Sequence, residues 1–169
     1  MARYNTTRYM DIADGPGIRV SIFFQGCAFH CKNCFNEETW PFDGGKEFTE
    51  NEIDHIIELA REKQYRGLSI LGGESLHPKN IEGATLLAKK FRETYKNTKD
   101  IWLWTGFLFE EVKDKEIMNY IDYLVDGQYK DELHDFRLMY RGSSNQRIID
   151  VKRSLKNKET VTVDEKEIK

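Results

Sequence analysis

Cys27, Cys31 and Cys34 stand in the run Gly26-Cys27-Ala28-Phe29-His30-Cys31-Lys32-Asn33-Cys34, a C-x3-C-x2-C spacing that uses every cysteine of the chain. Three thiolates on one short loop can each take one iron of a cubic iron–sulfur cluster. The fourth iron is then left without a protein ligand. An open iron beside a strong reductant is a place for chemistry, whereas a cluster with four cysteines usually carries electrons. A structural zinc knot is the plainer alternative. Zinc of that kind wants four ligands, commonly in two C-x2-C-like pairs. The chain has no second pair, His30 is awkwardly adjacent to Cys31, and His55, His77 or His134 would have to close the site. A redox pair made of Cys31 and Cys34 ignores Cys27.

Gly72-Gly73-Glu74 is the second group. Alone it reads as a turn. Placed after the apolar run 67–71 it gains meaning, because glycines let a backbone approach a ligand and bond it through amide and carbonyl groups. A carboxylate beside them can receive an ammonium, such as the amino end of an amino acid. Thr105 and Asp126 also follow apolar runs and could bond ribose hydroxyls, or could equally serve turns and caps. Asn33 and Phe35 flank the last cysteine, where a base could lie against them. Phe35 could equally be core. Ser143-Ser144-Asn145-Gln146-Arg147 reads as an entry loop. Trp40, Trp102 and Trp104 read most simply as core or interface aromatics. There is no Walker phosphate loop, G-x-G-x-x-G, convincing Ser-His-Asp set or paired-carboxylate arrangement.

The elements that must position these groups alternate. Residues 19–24 form a β-branched and aromatic run after the turn cluster Asp14-Gly15-Pro16-Gly17, and the cysteine loop begins where this strand ends. Thr49-Glu50-Asn51-Glu52 has the form of a capping box, followed by Ile53, Ile56, Ile57 and Ala60 on one helical face. Further strands are expected at 67–71, 101–104, 123–125 and 147–150. Helices are expected from about Asn80, with Ile81, Ala84, Leu87, Ala88 and Phe91 facing the core, and over 109–121. The alternation predicts an α/β fold with a largely parallel sheet and right-handed crossovers. Each strand then ends in a polar or glycine-rich segment. In parallel folds ligands bind at those carboxyl ends, so the four segments converge on one edge. The domain is placed at 1–151, with a charged, loosely packed tail at 152–169 and a short strand near 161–163.

The bulk numbers agree with one domain of 169 residues, 39% hydrophobic and 12% aromatic. Net charge is −3 and no basic stripe appears, which argues against a general nucleic-acid binder. No segment is apolar enough to span a bilayer, and residues 1–14 carry no apolar signal core. Three cysteines close together are unlike a secreted disulfide scaffold, and the expected location is cytoplasmic.

At this point the chain resembles the radical S-adenosylmethionine superfamily, on C-x3-C-x2-C after the first strand and Gly-Gly-Glu after the second. Asp14-Gly-Pro-Gly-Ile-Arg19 resembles the entry motif of its glycyl-radical-activating branch. Cys34-Phe35-Asn36, Thr39-Trp40, Trp104-Thr105-Gly106-Phe107, Val125-Asp126-Gly127 and the run Arg141-Gly142-Ser143-Ser144-Asn145-Gln146-Arg147 are similar to the activating proteins of anaerobic ribonucleoside-triphosphate reductases. The likeness runs from about Tyr9 to Asp150. Two departures stand out: Ser75 where the family often has proline, and Asn33 where many members have an aromatic. The second favours backbone contacts to adenine.

The resemblance implies a compact open partial (β/α) barrel of mainly parallel strands. It implies a [4Fe-4S] cluster on Cys27, Cys31 and Cys34, and S-adenosyl-L-methionine as cofactor. The methionine end would chelate the open iron, with Gly72, Gly73 and Glu74 at its amino group and Thr105 and Asp126 at the ribose. An external one-electron donor such as flavodoxin would reduce the cluster. The deoxyadenosyl radical released would take hydrogen from a glycine near the C-terminus of the reductase large chain. No nucleic-acid or membrane partner is implied, and a homodimer is compatible. Two other readings stay open: a small radical enzyme acting on a free metabolite, and a non-catalytic metal-binding module.

Overall fold

The computed structural model describes residues 1–168. Strand β1 (Arg3–Asp11) turns through 12–17 into β2 (Ile18–Phe24), with which it pairs antiparallel. After the cysteine loop come β3 (Lys46–Glu47), helix α1 (Glu50–Leu59), β4 (Tyr65–Gly72), α2 (Ile81–Tyr95) and β5 (Asp100–Trp104). The chain continues through α3 (Phe109–Val112), β6 (Tyr123–Asp126), β7 (Arg147–Asp150) and α4 (Val151–Asn157). One seven-stranded sheet results, in the order β3-β1-β2-β4-β5-β6-β7.

The expected parallel sheet is found at the centre, where β2, β4, β5 and β6 run side by side. Both flanks are antiparallel: β1 and β3 on one side, β7 on the other. Strand β3 ends one edge and β7 the other, so the sheet is open and no closed barrel forms. Strand β1 was not foreseen, because its half-exposed, mostly polar sequence lacks the apolar run that marks a central strand.

Side chains alternate across the strands. Ile22, Ile70, Leu103, Leu124 and Ile149 form one row across five paired strands, all fully buried. They join Ile53, Ile56 and Ile57 of α1 and Ala84, Leu87, Ala88 and Phe91 of α2 in the main core. The next row, Ser21, Ser69, Trp102 and Tyr123, lies on the opposite face.

Two local expectations fail for clear reasons. Thr49 is the N-cap of α1 but makes no side-chain capping bond, and the Glu52 carboxylate instead accepts from Thr7 Oγ1 at 3.3 Å. The expected helix 109–121 is only one α turn, followed by a 3-10 turn at Glu116–Asn119. Its buried residues jump from Val112 to Ile117, five positions that break the 3.6-residue period.

The tail does not pack loosely. Asp150 Oδ1 caps α4 by accepting from Arg153 N at 3.0 Å. The chain then returns along β7, with Val163 N on Ile148 O at 2.9 Å and a bridge between Ile149 and Thr162 near the expected short strand. Val163 and Ile168 pack on the cluster of Trp102, Val125 and Ile148. Lys169, the last residue of that tail, lies outside the described residues.

Candidate active site

A cavity of about 560 Å³ opens at the carboxyl ends of the central strands. Cys27, Cys31, Cys34 and Phe35 line it from the loop after β2, Gly72, Gly73 and Glu74 from the end of β4, and Thr105 from the end of β5. The strand-end convergence read from the sequence therefore holds for these eight residues. Asn33 and Asp126 do not line the cavity. Asn33, at φ +56°, turns its amide to Asp131 Oδ2 at 2.9 Å. Asp126 is fully buried; its carboxylate accepts from Arg147 at 2.5 and 3.0 Å and from Phe109 N at 2.7 Å. It joins β6 to β7 and to the start of α3.

The cysteine loop is positioned by backbone bonds. Gly26 N donates to Thr39 O at 2.6 Å and Cys27 N to Trp40 O at 3.1 Å. On the other side, Gly73 N donates to Phe24 O at 2.9 Å and Glu74 N to Gly26 O at 2.8 Å. These bonds explain the glycine pair. Gly72 has φ +115°, and a Cβ on Gly73 would sit 2.6 Å from Gly26 O and 3.0 Å from Thr39 O. The amides of Gly73 and Glu74 are thus spent on the fold, and the Glu74 carbonyl accepts from His77 N at 3.2 Å and Asn80 Nδ2 at 3.1 Å, so of these two residues the Gly73 carbonyl and the Glu74 carboxylate are the groups left for a ligand.

Burial raises the Cys27 and Cys31 thiols above their ordinary range, against backbone N–H groups that favour their thiolates: Phe29 and His30 toward Cys27, Tyr129 toward Cys31. Asn36 N donates to Cys34 Sγ at 3.4 Å. N–H groups aimed at sulfur suit cluster ligands. Among the described residues, no three His, Cys, Asp or Glu side chains converge as one metal ion requires. A cubic cluster takes one thiolate per corner, so its ligands need not converge on one point as those of zinc must. His30 is not turned to the thiols as a fourth ligand; its ring stacks on Trp40 with centroids 4.5 Å apart.

Glu74 is 2% exposed, and its carboxylate accepts from Leu76 N at 3.0 Å, Thr105 Oγ1 at 2.9 Å and Gly106 N at 2.8 Å. A carboxylate offers about four acceptor directions, so one remains open. Burial pushes its pKa up to about 7 despite those three donors. The Thr105 hydroxyl is committed to Glu74 and also accepts from Phe107 N at 3.2 Å. Ser75 is buried, and its hydroxyl has no hydrogen-bond partner among the described residues.

Other wall residues had no clear chemical signal in the sequence. Arg8 and Asp14 line the far side of the cavity, and burial with the neighbouring Asp11 raises Asp14 to about 7. Arg19 explains the turn that carries Asp14. Its guanidinium, fully buried, donates to Pro16 O at 3.0 Å, Ser69 Oγ at 2.7 Å and Leu68 O at 2.9 Å, and pairs with Asp100 at 2.5 Å. Ser69 Oγ donates in turn to Asp14 O at 2.5 Å. A Cβ on Gly15 would meet Arg19 Cδ at 2.9 Å, which is why a glycine stands over the guanidinium.

A thiol-lined cavity at the strand ends of a small α/β domain is the setting of an iron–sulfur site, and comparison with known proteins agrees. The model of the 4Fe-4S single cluster domain family matches residues 13–149, and the chain belongs to that family. It is 38% identical over 138 residues to the anaerobic ribonucleoside-triphosphate reductase-activating protein of Enterobacteria phage T4, covering 82% of this chain and 87% of that one. The protein of that name from Vibrio cholerae is 39% identical over 141 residues, covering 81% and 90%, and that from Escherichia coli 37% identical over 141 residues, covering 81% and 91%. The chain is therefore a member of the family of anaerobic ribonucleoside-triphosphate reductase-activating proteins. Among the described residues no helix is long and apolar enough to cross a membrane.

Proposed function

We propose that the chain is a radical S-adenosylmethionine activase that installs a glycyl radical on an anaerobic ribonucleoside-triphosphate reductase. One observation carries this reading. The three thiols and the Gly72-Gly73-Glu74 segment line one cavity, in a chain whose relatives are reductase-activating proteins. Cys27, Cys31 and Cys34 would hold three irons of a [4Fe-4S] cluster. When bound, the cluster and S-adenosylmethionine supply a hydrogen-atom acceptor, formed by one-electron cleavage of the cofactor.

The chain's own residues bind and orient. The open acceptor direction of Glu74, with the carbonyls of Gly72 and Gly73, would take the methionine ammonium. Thr105 holds Glu74 in place and lies where a ribose would pass. Phe35 offers a ring face beside Cys34, while Asn33 and Asp126 position the neighbouring loops. Phe23 and Leu71, both buried, line the cavity floor and exclude water. The one-sided helix cover and the strand-end cavity support reading the open sheet as a partial (β/α) barrel, with the site carried by residues 1–151. The electron would come from a separate one-electron donor of the flavodoxin kind. Three free thiols lining an open cavity need a reducing compartment, which supports the cytoplasm.

The test is anaerobic reconstitution with iron and sulfide, followed by reduction with S-adenosylmethionine in the presence and absence of the cognate reductase. Deoxyadenosine and an electron paramagnetic resonance signal of a glycyl radical are expected together. Deoxyadenosine without that signal would favour a free-metabolite enzyme. A loaded cluster that never cleaves the cofactor would leave only a binding module.

A further inference from the structure

Four rings make a continuous ridge along one rim of the cavity. Phe35 lies 5.1 Å from Tyr129 and 5.7 Å from His134, and His134 meets Phe136 edge-on at 4.2 Å. All four line the cavity. The inner rings are fixed. The Tyr129 hydroxyl bonds His134 Nδ1 at 3.0 Å and Asp131 at 3.1 Å, and Gly142 leaves them room, since a Cβ there would meet Tyr129 at 2.9 Å and Phe35 at 3.0 Å. The outer rings are bare: Phe35 is 63% exposed and Phe136 90%. Met139, 50% exposed, continues the surface on the same loop.

Folding does not explain this surface, because a ring that exposed buries almost nothing. Apolar side chains gathered at a rim mark a contact site, and aromatic residues are the usual anchors of such contacts. Several of the ionised groups nearest the outer rings are paired within the loop region: Arg137 with Asp135 at 2.9 Å, Arg141 with Glu165 at 3.3 Å, and Asp131 with Asn33 and Tyr129. Lys32, Lys130 and Glu132 are exposed around the foot of the ridge, and the crest between Phe35 and Phe136 is apolar. Hydrogen-atom transfer needs contact, so a target carried by another protein must pass this rim to reach the cavity.

We propose that the ridge Phe35-Tyr129-His134-Phe136, extended by Met139, is the docking lip for the glycine-bearing segment of the reductase, and that it takes an uncharged, apolar stretch beside the reacting glycine. The proposal rests on the activase reading above. It also gives the charged tail a task. Glu165 accepts from Met139 N at 2.9 Å and from Arg141, so the tail holds the loop that presents Phe136.

The test compares the full-length, cluster-loaded wild type with Phe136→Ser and Phe136→Leu. Iron content confirms that each is loaded. Without reductase, deoxyadenosine formation is expected to stay within about twofold of wild type for both variants, because Phe136, 90% exposed, stands at the outer rim, apart from the residues proposed to hold cluster and cofactor. At subsaturating reductase, Phe136→Ser is expected to lose roughly tenfold in the initial rate of glycyl-radical formation, the size of a lost interface anchor. The defect should shrink at saturating reductase, and Phe136→Leu should keep most of the rate. Equal rates for Phe136→Ser and wild type at subsaturating reductase would overturn the docking lip. Loss of deoxyadenosine formation in Phe136→Ser would overturn it too, by moving the ring into the cofactor site. A wild type that cleaves the cofactor but gives no glycyl signal would sink the activase reading and the lip with it.

Discussion

On the helix-covered face of the sheet stand Val20, Ile22, Leu68, Ile70, Ile101, Leu103 and Leu124, all fully buried. On the other face of the same strands stand Arg19, Ser21, Phe23, Ser69, Leu71 and Trp102, together with the cavity. The first face is held by apolar contact, and any well-packed apolar set would serve it. The second is held by a buried guanidinium, hydroxyls and a carboxylate with specified partners. Polar groups without full pairing make burial costly, so a fold that keeps so many of them on one face has a use for that face.

The largest break of this contrast is Cys31→Ser. It should remove the cluster and all S-adenosylmethionine cleavage while leaving the helix-covered core folded, as read by iron content, deoxyadenosine and circular dichroism. Normal cleavage by that variant would refute the ligand assignment.

Next come two substitutions of comparable cost on opposite faces. Ile70→Ala should cost about 2–5 kcal/mol of stability. Arg19→Met, which strands Asp100 with Arg66 alone, should cost about 3–5 kcal/mol. Urea denaturation measures both. Only Arg19→Met should also raise the KM for S-adenosylmethionine, because it frees the turn that brings Asp14 to the cavity. If the two variants behaved alike in KM, the contrast between the faces would reduce to packing.

Glu74→Gln gives a smaller, pH-dependent effect. Glu74 has its pKa raised from 4.5 to about 7 in the fold. The protonated form is therefore favoured by folding, and the stability it contributes is lost as pH rises from about 4.5 through about 7. Cation binding needs the ionised form, so wild-type affinity for S-adenosylmethionine should tighten across the same upper limb. Glu74→Gln should flatten both profiles. Asp14 has the same sign, so the difference between wild type and variant isolates Glu74. A variant with an unchanged slope would remove Glu74 from the ammonium site. The smallest effect belongs to Glu165→Gln, which weakens the hold on Met139 and Arg141. It should lower glycyl-radical formation by a few-fold with cofactor cleavage untouched.

The sequence made the central strands legible because β2, β4, β5 and β6 are apolar runs stopped by glycine or cysteine. It made the thiols and Gly72-Gly73-Glu74 legible because each follows such a run. Strand β1 was hidden by its polar, edge-like composition, and the break after α3 by a single five-residue gap. Asp14, Tyr129 and Phe136 were hidden for another reason. They reach the cavity from turns and loops far apart in the chain, where conformation leaves no periodic signature. Arg8 reaches it from β1, the strand that polar composition hid. The Asp14-Gly15-Pro16-Gly17 turn was visible, but the buried Arg19 beneath it needed the fold to give it a partner in Asp100. Asp126 shows the converse: a correct position at a strand end, with its carboxylate already claimed by Arg147.

The backbone bonds that fasten the cysteine loop to Thr39, Trp40 and the end of β4 involve no thiol. Small zinc domains unfold when their metal leaves, because the metal is their fastening. Here the loop would stay pinned on both sides if a bound cluster were lost. Such damage would be a local loss of inorganic parts, and repair a refill rather than a refolding.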